Sequence, residues 1–474
     1  MELEQHQGLE LDRARCLERL NWAVHQLGGK IDPRHQVRIT DLIIQTMTGP
    51  WRFFHTPGHI FEVGESGDAV EVIAALFHDL VYVQVDQGVS VNISRYIAPF
   101  VKEIYGQLVI LEAEELPADP VFEMVRHIFG FVPGQALQPT CGQNEFLSAL
   151  IAGRCLEPAL PLDILTEIAA CIEATIPFRP RSMQTLPTGQ SSLGQTAADH
   201  LYNRLAQVSQ TFGFGWSDSD LIYRVRRAIR VANRDVENFA FPCSADFLDN
   251  TWNLLPETNH DLTHANSYTV YGYRRSLEKM AGFMEVLKPD LVFQRYQDEP
   301  DEQTYQQLLI RTQHNLEVAR LYLGSKLLSI AVIEALSLRI GREIPLATMM
   351  GELPFLGCSL AQLENFLPTV NTQFPPETTL EWEVMDLLEK GRSQASSYDI
   401  KNSPVATFII KSIGFPAARQ LLEEARAFFH GSLSAEDFLA RCDRPIVEPI
   451  CHAVQQVFES RKVAICSSSV LRQT

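Results

Sequence analysis

Residues 70–82 read VEVIAALFHDLVY, a run that is apolar at almost every position until it reaches His78 and Asp79. Within the wider segment 69–83, the apolar residues recur at three- and four-residue spacing, which predicts a helix that is mostly apolar. A carboxylate at the end of such a helix costs several kcal/mol of stability unless it has a partner. The run therefore predicts a helix that ends in two side chains able to bind a metal ion.

The same spacing extends along most of the chain. Helices are predicted in the following segments: 11–28, 35–48, 69–83, 143–156, 161–176, 219–240, 268–287, 303–343, 379–390, 404–430, 435–441 and 446–460. Strand-like runs are few, and the short apolar stretch at 290–294 is a weak exception. The sequence therefore predicts an all-α fold in which one helical bundle is followed by a second helical bundle.

Three breaks in the helical pattern suggest how the chain is divided. Residues 178–198 contain Pro, Gly, Ser and Gln without apolar periodicity, which predicts a long loop or lid. Residues 288–304 are charged and contain two prolines, and residues 350–378 are interrupted by further prolines and a glycine. We place a domain boundary near residue 295, with a first domain at 1–295 and a helical domain of unknown role at 296–474.

Residues 327–338, LLSIAVIEALSL, are apolar nearly all round. A helix of this kind must be covered on every side. We expect these residues to form the core of the second bundle; the alternative is a subunit interface, through which the C-terminal helices would build a homo-oligomer.

Composition excludes several classes of partner. The 474 residues include 40 Lys and Arg against 58 Asp and Glu, for a net charge of −18, which repels nucleic acid and anionic lipid. We therefore expect no nucleic acid and no membrane as partners. The acidic N-terminus does not resemble a signal peptide, and the nine cysteines form no C-x-x-C pair, so we expect a cytoplasmic protein without a zinc ribbon.

A second candidate segment, RFFHTPGHIFEV, lies at 52–63, upstream of the His-Asp pair. Thr56 followed by Pro57 is typical of an N-cap and the first residue of a helix. That arrangement leaves His55 just outside the helix and His59 in its first turn, so both can face one cavity. Imidazole and carboxylate together suit a divalent first-row metal with open positions for water and substrate.

These motifs resemble the HD superfamily of metal-dependent phosphohydrolases, in which the ligand order is H…HD…D on an all-helical bundle. The string FHTPGHIFEV resembles the [YF]-H-x-x-x-H-[AI]-x-x-V string of a group of predicted bacterial HD phosphohydrolases. It is also similar to the corresponding segment of class I cyclic-nucleotide phosphodiesterases. The resemblance implies that His55 is the general acid and that His59, His78 and Asp79 are metal ligands.

Two downstream strings extend the resemblance over about half the chain. The N-E-x-x-S-A string of the bacterial group stands here as Asn144 to Ala149, and its I-x-x-T-I string as Ile172 to Ile176. The fourth ligand of the superfamily is a later Asp within a helix, and the best match is Asp235, in ANRDVENF. The first domain, 1–295, is therefore expected to be an HD-type bundle, and residues 83–141, which lengthen the usual spacing, are expected to be an insertion.

The sequence also departs from the family pattern. Members with two metals carry extra His residues between the H-D pair and the last Asp, whereas Pro177, Phe178 and Arg179 stand here where the bacterial group has His. His127 is a candidate substitute, although an ordinary helix His is the more common case. The usual H-D-[IL]-G-K continuation is replaced by Leu-Val-Tyr, which supplies no Lys for a phosphate. One metal ion is therefore expected, and a second stays open.

The implied chemistry is hydrolysis of a phosphate ester, from a small nucleotide or another phosphorylated metabolite. His59, His78, Asp79 and Asp235 would hold Mn, Fe, Mg or Zn with a water, and His55 would protonate the leaving oxygen. The side chains expected to contact the substrate or to support the ligands are Arg52, Asn144, Glu145, Arg234 and, less directly, Arg274.

Two other classes of function stay open. One is a non-catalytic helical scaffold or ligand-binding regulatory protein on a degenerate HD fold. The other is an HD-fold di-iron oxygenase, which would need further ligands from His127, Glu145 or Glu173. A second His-Asp string, HDLTH at 260–264, lies in a polar stretch that is more typical of a solvated loop than of a metal site.

Overall fold

The structure, a computed structural model, describes residues 2–179, 195–353, 361–370 and 374–457, and for residues 2–6 only the backbone. Most of the loop expected at 178–198 therefore lies outside the described residues. The chain divides into two units. Unit 1 comprises Met1–Asn238 and Lys288–Ile310, and unit 2 comprises Phe239–Leu287 and Arg311–Thr474.

The described residues are mainly helical, which confirms the all-α prediction. The α-helices are α1 Glu2–Gln26, α2 Pro33–Met47, α3 Pro57–Val63, α4 Ala69–Phe77, α5 Val83–Asp86, α6 Val91–Ile97, α7 Pro120–Phe129, α8 Gln143–Leu156, α9 Leu162–Ala174, α10 Ala197–Phe212, α11 Asp218–Asp235, α12 Ser244–Trp252, α13 Leu254–Thr258, α14 Val270–Val286, α15 Pro289–Val292, α16 Glu302–Ser337, α17 Leu346–Met350, α18 Thr379–Lys390, α19 Pro404–Phe429, α20 Ala435–Arg441 and α21 Arg444–Val457. Short 3₁₀ helices lie at Pro139–Cys141, Glu237–Ala240, His260–Thr263 and Leu363–Phe366.

One short antiparallel hairpin interrupts the helices of the described chain. Its strands are β1 Val101–Ile104 and β2 Gln107–Ile110, and they are joined by Tyr105 and Gly106, both with positive φ. The helical pattern gave no signal for it. The weak strand-like stretch at 290–294 is, in contrast, mostly the single helical turn α15, which begins at a proline.

The core of unit 1 surrounds α4. All nine residues of α4 are buried, and the helix packs against α1, α3, α8, α9 and α11. The apolar run that predicted a covered helix thus forms the centre of this unit. The segment 83–141, expected as an insertion, contributes α7 to the same core, since Phe122, Met124 and Ile128 are fully buried.

The division of the chain differs from the single boundary expected near residue 295. Residues 239–287 belong to unit 2, where Arg274 of α14 pairs with Glu334 of α16 at 2.9 Å. Residues 288–310 return to unit 1, where the side-chain amide of Gln294 donates to the carbonyl oxygen of Ala174 at 2.8 Å. The charged, proline-containing break therefore marks a return of the chain to the first unit, which composition alone does not reveal.

The apolar residues of α16 lie in the interior of unit 2. Leu328, Ile333 and Leu336 are at most 1% exposed within the single chain. This burial agrees with the core interpretation of residues 327–338. Across the described residues, no helix combines the length and apolar character needed to cross a membrane.

Candidate metal centre

Three helices of unit 1 deliver the four predicted metal ligands. α3 begins directly after the N-cap residue Thr56, as the Thr-Pro pair predicts, and places His59 in its first turn. α4 ends so that His78 is its C-cap residue and Asp79 follows. Asp235 is the last residue of α11. Helix ends thus carry side chains that are far apart in sequence to one place.

The four side chains face a common point. The possible ligand atoms of His59, His78, Asp79 and Asp235 all lie within 4.8 Å of one another. Nε2 of His59 is 3.0 Å from Oδ1 of Asp235 and 3.4 Å from Oδ2 of Asp79. Nε2 of His78 is 3.0 Å from the same Asp79 oxygen and 3.2 Å from the same Asp235 oxygen. Among the described residues, this is the one group of His, Cys, Asp and Glu with such spacing.

Burial and charge act against each other at this centre. Burial lowers the pKa of His59, but the adjacent carboxylates of Asp235 and Asp79 outweigh burial and raise that pKa to about 9. Burial likewise opposes a raised pKa at His78, yet the charges of Asp79 and Asp235 raise it. Burial would raise the pKa of both carboxyl groups, but the imidazoles hold both below the usual value. Both carboxylates are thus ionised at a partly buried place where positive charge must balance them.

The donor set fits a divalent first-row metal ion. Nδ1 of His78 donates to the carbonyl oxygen of Ala75 at 2.8 Å, so the lone pair of Nε2 is directed at the centre once a binding cation displaces the proton on that nitrogen. Oδ2 of Asp79 is buried and has no hydrogen-bond partner, although both imidazoles are near it. An imidazole fixed in this tautomer and an ionised carboxylate oxygen without a donor are the ligands that such a cation needs.

His55, the expected general acid, lies beside the centre just before α3. Its ring is 5.9 Å from the ring of His59 and 4.6 Å, edge to face, from the ring of Tyr82. Burial raises the pKa of Asp79, and the positive charges of His78 and of His55 together lower it. From this half-buried position an imidazole can exchange a proton with a molecule bound at the centre.

The N-E-x-x-S string fixes the turn that follows the His-Asp pair. Oδ1 of Asn144 accepts a hydrogen bond from the backbone N–H of Val83 at 3.2 Å. Oγ of Ser148, one helical turn later on α8, accepts from the backbone N–H of Val81 at 3.0 Å. Asn144 therefore supports the ligand segment rather than extending into the open part of the site.

Glu145 lies between these two anchors and is the third acidic group near the centre, after Asp79 and Asp235. Its Oε2 atom is buried without a hydrogen-bond partner. Burial, and then the charges of Asp79 and Asp235, raise its pKa to about 7, against an opposing effect of Arg179. This carboxyl group therefore exchanges a proton near neutral pH.

Arg52 supports the centre by binding the backbone of Asp79. Its Nε and Nη2 atoms donate to the two carboxylate oxygens of Asp86 at 2.8 and 2.7 Å, and Nη1 donates to the carbonyl oxygen of Asp79 at 3.0 Å. Its side chain is fully buried. All three nitrogen atoms are engaged, so Arg52 holds the backbone of a ligand and is not placed to receive a substrate phosphate.

Arg234 has a similar supporting position. Its Nε atom donates to the carbonyl oxygen of Val63 at 2.6 Å, and Nη2 donates to Oε2 of Glu71 at 2.8 Å. These contacts connect the end of α3 and the start of α4 to the residue that precedes Asp235. Of the residues expected to touch a substrate or support the ligands, Arg52, Asn144 and Arg234 thus make supporting contacts.

The candidates for a second ion lie apart from the cluster. Nδ1 of His127 is 2.6 Å from the carbonyl oxygen of Glu123 in its own helix. Glu173 is fully buried and pairs with Arg179 at 2.5 Å and with Arg204. Neither side chain is part of the group around His59.

The remaining candidates belong to unit 2. Arg274, expected as a possible phosphate contact, is buried and pairs with Glu334 and Glu278. The HDLTH string forms a short 3₁₀ helix that ends before His264. These side chains take part in the local structure of unit 2 and in no metal-competent group among the described residues.

Sequence reasoning missed two supporting residues, and their signals differ. Glu71 forms a capping box with Asp68, a pattern that D-x-x-E at 68–71 does predict. Asp86, the partner of Arg52, had no such signal, because the two residues are 34 positions apart and no local pattern connects them.

No family model, no curated protein and no solved structure matches this chain. The resemblance to the HD superfamily therefore rests on the sequence motifs.

Proposed function

We propose that this chain is an HD-type metal-dependent hydrolase of phosphate esters. The observation that carries the proposal is the convergence of His59, His78, Asp79 and Asp235 within 4.8 Å, in the order H…HD…D. The tautomer of His78 and the unpartnered oxygen of Asp79 support it, since both suit a bound cation.

The roles of the residues follow from their places. A divalent ion (Mn, Fe, Mg or Zn) held by the four ligands would supply a water of lowered pKa and positive charge beside a phosphoryl oxygen. Arg52 keeps Asp79 in position by donating a hydrogen bond to the backbone carbonyl oxygen of Asp79. His55 would donate a proton to the leaving oxygen, a role that its position beside the ring of His59 supports and that imidazole commonly performs.

The proposed substrate is a small phosphorylated molecule, such as a nucleotide or another metabolite. The net charge of −18 repels a polyanion such as nucleic acid but not a single ester group whose charge a metal ion can balance. The two arginines of this unit that were expected to contact a phosphate, Arg52 and Arg234, are engaged with protein groups. The metal ion would therefore be the main source of positive charge for the phosphate.

The test is hydrolysis of p-nitrophenyl phosphate and bis-p-nitrophenyl phosphate by the full-length protein, supplied in turn with Mn²⁺, Fe²⁺, Mg²⁺ and Zn²⁺. We expect activity with at least one ion, its loss in Asp79→Asn, and a fall of about 10²-fold or more in His55→Gln. His127→Gln is the matched control and should keep the wild-type rate. Metal binding without turnover of either ester would favour the non-catalytic ligand-binding alternative, and no metal binding would refute the proposal.

A further inference from the structure

One face of α11 carries a row of arginines that bind the start of α4. Arg227, Arg230 and Arg234 follow one another at spacings of three and four residues. Arg227 pairs with Asp68 at 2.8 Å, Arg230 with Oε1 of Glu71 at 2.7 Å, and Arg234 with Oε2 of Glu71 at 2.8 Å. Glu71 is therefore shared by two guanidinium groups.

Glu71 is also part of the structure of α4 itself. It is the third residue of the helix, and its Oε2 atom accepts a hydrogen bond from the backbone N–H of the N-cap residue Asp68 at 3.3 Å. Its side chain is only 2% exposed. A carboxylate here is favoured by the positive end of the helix dipole as well as by the arginines. Its position is thus fixed from both sides.

The contacts of Arg234 join all three helices that supply ligands. Arg234 immediately precedes Asp235 on α11, and its bond to the Val63 carbonyl reaches the end of α3, which carries His59. Its bond to Glu71 reaches α4, which ends two turns later at His78. The Glu71–Arg234 pair thus connects the C-terminal end of α3, the first turn of α4 and the last turn of α11. These contacts fix the three ligand-bearing helices relative to one another.

We propose that Glu71 is a positioning residue for the metal centre, an inference that rests on the proposed metal site. Glu71 touches none of the four ligands in the contacts described above, and acts through Arg234, Arg230 and the first turn of α4. Loss of its charge leaves the partly buried guanidinium group of Arg234 without its anion and leaves Arg230 with Glu299 alone, at 3.1 Å, so the helices can shift relative to one another. Residues that orient metal ligands in this way commonly change metal affinity by about 10- to 100-fold.

Glu167 provides a matched control within the same network. It is 5% exposed at its side chain and pairs with Arg224 at 2.8 Å and with Arg227. It lies on α9, which carries none of the four ligands. Its partners Arg224 and Arg227 lie in the N-terminal and middle parts of α11. Glu167→Gln therefore removes the charge of a comparable buried carboxylate from the same arginine row but leaves the contacts of Arg234 with Glu71 and the Val63 carbonyl in place.

The experiment measures Mn²⁺ and Zn²⁺ dissociation constants, by competition with a chelating indicator, for full-length wild type, Glu71→Gln and Glu167→Gln. Thermal unfolding in chelator is recorded in parallel. We expect the dissociation constant to rise about tenfold or more in Glu71→Gln. For Glu167→Gln we expect it to stay within about threefold of wild type, even where the two variants lose similar thermal stability.

Equal affinity in Glu71→Gln and wild type would overturn the inference, as would an equal loss in both variants. Should Glu71→Gln not fold, Arg234→Lys replaces it, since lysine can pair with Glu71 but cannot also reach the Val63 carbonyl with a second planar donor. Wild-type affinity in Arg234→Lys would then overturn the inference. Failure of the wild type itself to bind either ion would overturn the proposed metal site and this inference together.

Discussion

Oγ of Ser148 accepts a hydrogen bond from the backbone N–H of Val81 at 3.0 Å, and both residues are buried. The bond connects α8 to the segment directly after the metal-competent pair. Since no water can replace the serine oxygen in a buried place without rearrangement, the bond contributes to the stability of unit 1 and to the placement of Asp79.

Ser148→Ala leaves the N–H of Val81 buried without an acceptor. We expect the free energy of unfolding to fall by about 1–3 kcal/mol, measured by urea denaturation. Thr211→Ala is the control, because the Thr211 hydroxyl bonds only to the carbonyl oxygen of Gln207 at an exposed place. It should change stability by no more than about 0.5 kcal/mol. Equal effects of the two substitutions would contradict the role given to Ser148.

Gly142 begins α8 with a φ of 90°, and an added Cβ would overlap the side chain of Ile176. Gly213 has a φ of 71° and nothing within 4 Å of an added Cβ. Gly213→Ala should therefore lower the free energy of unfolding by about 1–2 kcal/mol, because alanine is strained in the left-handed conformation. Gly142→Ala should lower it by a further ~1–3 kcal/mol, because the added methyl group overpacks the site. Thermal unfolding of both variants measures the difference. A loss of stability in Gly142→Ala no larger than that in Gly213→Ala would show that Ile176 moves aside, and would contradict the expected overpacking.

Asp399 is the centre of a buried polar network in unit 2. It accepts hydrogen bonds from Trp252 at 2.9 Å, Tyr273 at 2.7 Å and Lys326 at 3.1 Å, and Arg392 is 3.7 Å away. Asp399→Asn leaves two buried cations without that charge, so we expect a loss of about 3–5 kcal/mol in denaturant unfolding at pH 7. Asp386→Asn, which breaks an exposed pair with Lys390, should cost less than about 1 kcal/mol.

The effect of Asp399 depends on pH. Burial raises its pKa, but Lys326 and Arg392 outweigh burial and hold the pKa below the usual value. Its contribution to stability is therefore present above the unfolded-state pKa, about 3.9, and is lost as pH falls through the lower folded-state pKa. The difference between wild type and Asp399→Asn should thus be constant from pH 5 to 7, roughly, and shrink below pH 4. A difference that grows on acidification would contradict this assignment.

The sequence predicted the features that depend on local pattern. Apolar spacing identified α4 and most long helices, and Thr56 with Pro57 identified the start of α3. The ligands His59, His78 and Asp79 were proposed through short-range motifs, and Asp235 through its place in a later helix. Each of these signals is carried by residues that are neighbours along the chain.

The features that depend on long-range packing were missed. Arg52 was expected either to contact the substrate or to support the ligands, and only its bond to Asp86, 34 positions later, indicates the supporting position next to Asp79. A single boundary was expected near residue 295, whereas the contacts place the Arg274 segment in unit 2 and the Gln294 segment in unit 1. Polarity alone does not identify which partner a buried side chain will find.

Glu145 should destabilise the protein at alkaline pH in the presence of chelator. Its pKa is raised to about 7, chiefly by burial, so the folded state holds a proton that the unfolded state releases near pH 4.5. The resulting loss in the free energy of unfolding grows from about pH 4.5 to 7 and is then constant, on the order of 3 kcal/mol. Glu145→Gln should therefore be more stable than wild type at pH 8 and equal to it near pH 4. Equal stability at both pH values would contradict the raised pKa.

Two imidazoles and two carboxylates from α3, α4 and α11 form the metal site that we propose, and together they would bind one ion. The most direct test is metal content per chain, by mass spectrometry after loading with Mn²⁺ or Zn²⁺ and desalting. We predict about one ion for wild type and for the exposed-site control His430→Ala, and little in His78→Ala and Asp235→Ala. Full metal content in either ligand variant, or none in wild type, would contradict the account.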